Sequence, residues 1–495
     1  MLKSLLFSLF FLAGLLVFVP ESSFADVRRK LTLEEVVAIA RQQSPDAFAA
    51  RHRYRGSYWH YRSHQAGYLP HLRFDATIPN LNRSISPITL PDGSDMFVRR
   101  SLAISSGNLS LSQTIGLTGG QLFVNSGLQR IDLIREDGTE VSYLSTPVNV
   151  GFSQPIFAFN PFKWERKIEP LRFEEARKLY LESLEHISLR ATNFFFDLLQ
   201  GQINMEINKL NLASNDTLYR IARGRFLLGR IAENELLQME LNVLNSKANL
   251  EQSRINYEGA LFRFRSYLGL GDSEIPELIP PGNIPDLQIN VSAALAEARK
   301  NRADIIARQR QMLEAESQLA QARADNRFNA NLYAVFGLTQ TSDDFGSVYK
   351  NPLDQQQLTI GISIPILDWG VSKGRVRMAE SNRELVSTTV NQALVDFEQE
   401  VTLRVMEFNM LKSQLEIARM ADIIAQKRFD ITRERFLIGR IDIFELNLAL
   451  EEKDRSKQRY LSALRTYWLG FYEIRRLTLF DFLNDRPIVV NYDEI

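Results

Sequence analysis

Cysteine is absent from all 495 residues, which excludes a disulfide, a zinc-thiolate site, an iron–sulfur cluster, a thiol nucleophile and a lipid-modified N-terminal cysteine. An excess of either charge is absent too. The 59 Lys and Arg balance 59 Asp and Glu without a basic block, so the electrostatic footprint for a nucleic-acid backbone is missing. Beyond the first 25 residues no stretch approaches 18 uncharged apolar residues, so a membrane role there must come through β-strands. What is present is a chain 45% hydrophobic and 24% charged, long enough for several cores and too apolar for wholesale disorder.

Met1 to Ala25 reads as a secretory signal peptide. Lys3 supplies the positive end, Leu5 to Val19 the apolar stretch, and Ser23-Phe24-Ala25 the small-residue cleavage pattern before Asp26. An uncleaved anchor helix is the alternative, but an apolar run of about 15 residues is short of the roughly 20 that span a bilayer.

The chain is written twice. Arg225-Phe226-Leu227-Leu228-Gly229-Arg230-Ile231 recurs as Arg435-Phe436-Leu437-Ile438-Gly439-Arg440-Ile441, an offset of 210. The same offset carries Gly151, Ser153, Pro155 and Ile156 onto Gly361, Ser363, Pro365 and Ile366. At the opening of each copy, Leu31 through Asp46 resembles Ile289 through Asp304 at an offset of 258, so the first copy holds 48 extra residues. This divides the chain into a first repeat at 26–270 with an insertion at about 79–145, a proline-rich linker at 271–290, a second repeat at 291–477 and a C-terminal segment at 478–495.

Within each copy the period switches from helical to alternating and back. Leu332, Ala334, Phe336 and Leu338, then Leu358, Ile360, Ile362 and Ile364, give a strand pair with one apolar face; Leu72, Phe74, Ala76, Ile78 and Val148, Val150, Phe152 do the same earlier. From Asp368 the pattern is helical for about 65 residues, roughly 100 Å at 1.5 Å per residue. Apolar residues recur there at heptad spacing, and in the first copy two such rows lie on different sides, which implies neighbours on both sides. A helix of about 35 residues returns after the Gly-Arg turn.

A lone ribbon is not stable, and its apolar face must meet a sheet, a helix or lipid. Two ribbons give four strands per chain, too few to close a barrel, so closure needs several chains. The fold class expected is an α+β membrane protein. Trp164 and Trp369, just past the strands, sit where aromatics anchor at a bilayer interface, or else pack in the strand-to-helix junction.

The repeated plan, the opening LTLEEVVAIARQQSPD, the YLPHLRF run, the VGFSQPIF and IGISIPILDWG strand exits and the paired RFLxGRI turns resemble the TolC-type outer-membrane efflux proteins. The resemblance covers essentially the whole mature chain. It implies a homotrimer in which four strands per chain form a 12-stranded β-barrel in outer-membrane lipid, continued by a long α-helical coiled-coil tunnel across the periplasm. It further implies an equatorial belt made by the inter-repeat linker and the C-terminal segment. The implied partners are a periplasmic adaptor (membrane fusion) protein and an inner-membrane pump of RND, ABC or MFS type, serving drug efflux, metal efflux or type I secretion, with no cofactor.

On that resemblance, Leu228, Gly229, Arg230, Ile438, Gly439 and Arg440 are the periplasmic tips that receive the adaptor, the glycines also serving turn chemistry. The family's tunnel mouth is ringed by acids placed six and nine residues after the second turn glycine. Glu445 matches the first of these positions, Leu448 departs from the second, and Asp442 lies three residues before Glu445. A gate of Glu445, Asp442 and Arg440 is therefore displaced from the family pattern, and the two acids could instead pair with Arg440 or Arg435 on a solvated surface.

The insertion carries its own alternation, Leu109, Leu111, Ile115, Leu117 and Leu122, Val124, Leu128. It reads either as an elaborated extracellular loop, the version favoured here, or as barrel strands that raise the count to six per chain. Enzyme readings find no support: His60 and His64 stand at helical metal-ligand spacing without an HExxH, and no nucleophile elbow, P-loop or dinucleotide fingerprint is present. The competing non-enzyme reading is a periplasmic coiled-coil spacer or adaptor without a barrel.

Overall fold

The computed structural model describes residues 28–135, 137–271 and 274–492; the signal peptide expected at 1–25 lies outside them. In chain order the first elements are β1 (Arg28–Leu31), α1 (Leu33–Gln43), α2 (Pro45–Ala66), β2 (His71–Thr89), β3 (Asp95–Ile115), β4 (Gly120–Arg135), β5 (Gly138–Ile156), α3 (Pro161–Leu227) and α4 (Glu233–Leu268). There follow β6 (Ile275–Leu278), α5 (Val291–Asn301), α6 (Ala303–Asp325), β7 (Asn329–Ser342), β8 (Leu353–Ser363), α7 (Val371–Leu437), α8 (Ile443–Thr478), β9 (Phe480–Asp481) and β10 (Arg486–Pro487). The two long helices have 67 residues each and the two returning helices 36 each. At 1.5 Å per residue, α3 and α7 are each about 100 Å long.

The chain forms two compact units, Met1–Pro45 with Ala191–Ile284, and Asp46–Arg190 with Pro285–Ile495. In the first, β1 pairs in parallel with β6. Helix α1 begins at a reciprocal cap: the Glu35 amide donates to Thr32 Oγ1 at 3.3 Å, and the Thr32 amide donates to Glu35 Oε2 at 2.8 Å. The later half of α3 runs antiparallel to α4. Phe194 meets Tyr267 at 4.6 Å between ring centroids, and Asn215 Nδ2 donates to Ser246 Oγ at 2.7 Å.

In the second unit α2 covers the early part of α3, with Tyr61 stacked on Phe173 at 4.7 Å. Helices α5, α6 and α8 cover α7 in succession: Arg323 Nη2 reaches Glu380 at 3.0 Å, Asn409 Nδ2 donates to the Ile289 carbonyl at 2.9 Å, and Phe408 packs on Tyr467. Val401, Val405, Phe408 and Leu415 are buried in this seam. Gly470 sits within it because a Cβ there would lie 2.6 Å from Leu411 Cδ1.

The sheet of this unit corrects the four strands per chain expected from the sequence. Six strands are hydrogen-bonded in the order β2-β3-β4-β5-β7-β8, all neighbours antiparallel, and residues 79–145 are paired strand for most of their length, where a loop was favoured. The physical reason lies in the register. Leu111, Val124, Val150 and Phe336 form one cross-strand row, and Leu122, Phe152, Ala334 and Leu358 another, so the apolar face runs unbroken from the inserted strands into the second repeat. The opposite face carries Ser110, Ser112, Asn125, Ser153 and Thr359. Breaking that continuity would leave the apolar residues of the insertion without neighbours on either side.

Candidate functional site

Each long helix ends in the same turn. After α3, Gly229 adopts φ +64°, its amide donates to the Phe226 carbonyl at 2.8 Å, and the Arg230 amide donates to the Arg225 carbonyl at 2.9 Å. After α7, Gly439 adopts φ +74° with matching bonds, Gly439 to Phe436 at 2.9 Å and Arg440 to Arg435 at 3.0 Å. This closure requires a left-handed residue, which explains the glycine in both copies. A Cβ at either glycine would meet no atom within 4 Å, so the constraint is purely on the backbone. Leu228 and Ile438, beside these glycines, are exposed apolar residues, as are Leu227 and Leu437.

Of the two acids proposed for a gate, Asp442 has a local role of its own. Asp442 is the N-cap of α8, its Oδ1 accepting from the Glu445 amide at 2.9 Å, so its carboxylate is engaged in starting the helix. The Asp-Ile-Phe-Glu order is a helix-start signature and was available in the sequence as one. Glu445, Arg440 and Leu448 are exposed on the same turn and first helical residues.

Trp369 is 89% exposed, and the backbone there is unusual, with φ +56° at Trp369 followed by +94° at Gly370. Asp368 fixes this corner by accepting from the Gly370 amide at 3.0 Å and the Ser372 amide at 2.7 Å. The hydrogen bonds from Ser372 hold its carboxyl below the usual carboxylate range. Trp164, in the first turn of α3, is half-buried, with Lys167 Nζ 5.5 Å from its ring centroid. His60 and His64 face α3, where His60 Nδ1 lies 3.4 Å from Glu169 and His64 Nε2 lies 3.9 Å from Glu165; His64 Nε2 is also 3.3 Å from the hydroxyl of Tyr68, just past its own helix. No group of three or more metal-ligating side chains is present among the described residues.

Three features were missed by sequence reasoning. Asn160 ties the β3–β4 turn to the corner where β5 enters α3, its Nδ2 donating to the carbonyls of Gly116 at 3.1 Å and Leu117 at 3.0 Å. Half-buried Arg475 joins α8 to Glu185 of α3 at 3.2 Å and to Asp481 at 2.7 Å. Both pair residues far apart in sequence, and neither has a local pattern to betray it. The third is a set of exposed heptad rows: Leu403, Met406, Met410, Ile417, Met420, Ile424 and Ile431 on α7, and Leu237, Leu241, Leu244, Ile255 and Phe262 on α4. Intervals of three, four and seven residues, with one of eleven between Leu244 and Ile255, are those of a coiled-coil seam. The α4 row could have been read from heptad spacing alone.

The chain is thus a duplicated unit in which a strand ribbon with one largely apolar face feeds a helix about 100 Å long, returned through a Gly-Arg turn. Residues 294–468, within the second repeat, match the model of the outer membrane efflux protein family. The chain has the fold of the Campylobacter jejuni CmeC outer membrane channel, at TM-score 0.65 and 15% identity over 93% of this chain and 88% of that one. It is also similar to the open state of the Neisseria gonorrhoeae MtrE outer membrane channel (TM-score 0.61, 14% identity, 92% of this chain and 91% of that one). A third likeness is to the outer membrane protein VceC of Vibrio cholerae (TM-score 0.62, 15% identity, 92% and 97%). An uncharacterized protein of Haemophilus influenzae strain Rd is 25% identical over 229 residues, and the chain spans about half the length, 48%, of that curated relative. The resemblance to the TolC-type channels thus rests on a family match in the second repeat and on a fold shared over nearly the whole chain.

Proposed function

We propose that this chain is the outer-membrane channel-tunnel of a tripartite export system, giving passive passage to cargo that an energised inner-membrane pump and a periplasmic adaptor deliver. The observation that carries the reading is the six-stranded sheet. One face carries apolar residues on every strand, interrupted by Gln113, Ser126 and Gln356; the other is rich in Ser, Asn, Gln and Thr, with Phe123 and Tyr333 among them; and among the described residues the outer sides of the edge strands β2 and β8 are unpaired. Such a sheet suits a wall between lipid and water, and lipid tolerates no open edge, so copies join edge to edge. The bare heptad rows on α4 and α7 support the same conclusion, since neighbouring copies would cover them as a tube of helices. Three copies, as in the resembled family, make the assembly.

In this reading residues 1–25 direct export, the 271–290 and 478–495 segments belong to an equatorial belt, and Trp369 with Trp164 marks the bilayer interface. The turns Leu228-Gly229-Arg230 and Ile438-Gly439-Arg440 are the periplasmic tips, with Leu228 and Ile438 offering apolar contact to adaptor helices. Glu445 from each copy lines the tunnel mouth, where converging carboxylates favour cations. Fractionation tests the proposal. The protein is expected in the outer membrane, released only by detergent, as a species crosslinkable to trimers. Recovery in the soluble periplasmic fraction would instead favour a coiled-coil spacer without a barrel.

A further inference from the structure

We infer that the inserted hairpin β3–β4 spans the membrane and widens the assembled barrel to 18 strands, six from each of three copies, with β8 of one copy paired to β2 of the next. The inference rests on the channel reading above and specifies its pore. Three observations carry it.

The first is length. Residues Leu102 to Ser112 of β3 are paired on both sides, to β2 and to β4, apart from a break opposite the bulge between Thr77 and Asn80 of β2. Strand β4 has 16 residues, and a membrane-spanning strand needs only about 9–11. The second is the pattern. Leu109 and Leu111 on β3, with Leu122 and Val124 on β4, lie on the apolar face of the sheet. Ser106, Asn108, Ser110, Ser112 and Thr114 lie on the other, as do Gln121, Phe123 and Asn125, while Gln113 and Ser126 are the polar residues on the apolar face of this hairpin's paired core. A loop in water has no reason to keep this alternation in register with β7 and β8.

The third is anchorage at both ends of the question. The hairpin's turn is fixed to the strand-to-helix corner by Asn160, and Gln154 Nε2 donates to the Thr118 carbonyl at 3.0 Å. Gly119 takes φ +77° in that turn. Strand β4 is also keyed to β5: the Phe123 ring lies over Gly151, where a Cβ would stand 2.1 Å from the ring, and it stacks on Tyr333 of β7 at 6.0 Å. The inserted strands are therefore part of the wall.

Barrel diameter grows roughly linearly with strand number, so 18 strands give about 1.5 times the diameter of 12, in the range where porins keep an aqueous channel. The added wall presents mainly small uncharged polar side chains to that channel, with Phe123 the large aromatic exception. The class of cargo this suits is bulky and hydrophilic, passing the outer membrane without a narrow or charged barrel constriction.

The cysteine-free chain allows a direct test. Leu109→Cys, Ser110→Cys, Leu111→Cys, Ser112→Cys, Val124→Cys and Asn125→Cys are each labelled with a bimane fluorophore in the full-length assembly, reconstituted into phosphatidylcholine vesicles. Quenching by nitroxide-labelled lipid is compared with quenching by iodide. Labels at 109, 111 and 124 should respond severalfold more to the lipid quencher, and those at 110, 112 and 125 to iodide. Ala334→Cys and Val335→Cys on β7 report on the barrel itself. Alternation at 334 and 335 with uniform iodide quenching at 109–112 would overturn the inference and leave the channel reading standing. Loss of alternation at β7 as well would overturn both. Electron-microscopic projections down the barrel give an independent readout, with a diameter near that of a 12-stranded barrel counting against the inference.

Discussion

Replacing Arg475 with Met removes the cation that holds the C-terminal segment to α3. Its guanidinium lies 3.2 Å from Glu185 and 2.7 Å from Asp481, and the side chains of Glu185 and Asp481 are 0% and 8% exposed. At an effective dielectric of about 20, a unit pair some 4 Å apart attracts by about 4 kcal/mol, and the desolvation of three charges offsets most of the sum. Deleting one partner is costlier than the net worth of the pair, about 3–5 kcal/mol, because charge is left buried. The lower end applies here, since Asp481 also accepts from Asn484 Nδ2 at 3.0 Å and from the Leu483 amide at 3.1 Å. A local loss of about 3 kcal/mol corresponds to roughly a hundredfold rise in opening. Hydrogen exchange of peptides covering 181–189 and 474–490, in one detergent at one pH, measures it. Adding Glu185→Gln should recover part of the loss. A change under threefold, or a double variant worse than the single one, would refute the reasoning.

Gly229→Ala and Gly439→Ala should each loosen the local turn by about 1–2 kcal/mol, the usual penalty of a left-handed L-residue, with Asn milder and Val worse; proteolysis of the tips reads this, and export should fall with assembly intact. Asp442→Ala should cost about 1 kcal/mol of helix-start stability, visible as faster exchange at residues 443–447, whereas Glu445→Gln should spare exchange and alter cation selectivity in single-channel recordings. Asp481 adds a pH dependence. Although burial works against its charge, the bonds from Asn484 and Arg475 hold its carboxyl below its ordinary 3.8. Its contribution is thus present above about pH 4 and is lost as pH falls through the lowered value, so acid loosening of residues 474–490 should be blunted in Asp481→Asn. Gly151→Val should displace Phe123 and lower the yield of folded sheet without affecting the long helices, checked by heat-modifiable gel mobility.

The helical part of the fold was legible because its signals are local and repeated. Heptad apolar spacing marks the buried seam of α7, and one glycine in each copy stops a helix that nothing else would stop. The strand count was not legible. Each barrel strand carries only a short alternation, and here it is diluted by Gly107, Gly116, Gly119 and Gly127 and by the polar row of the inserted hairpin. What identifies β3 and β4 as members of the sheet is their register against β2 and β5, a long-range property. The same limit hid Arg475, whose partners lie 290 residues away and six residues on. Asp442 shows the converse, since a residue chosen for its charge beside Glu445 turns out to be placed by helix capping.

Planar-bilayer recording of the detergent-extracted full-length protein tests the central claim most directly. An open-edged sheet that closes only between copies predicts discrete, long-lived conductance steps from the crosslinkable trimer and none from dissociated chains. Stable insertion without conductance, or a water-soluble trimer that never enters the bilayer, would contradict it.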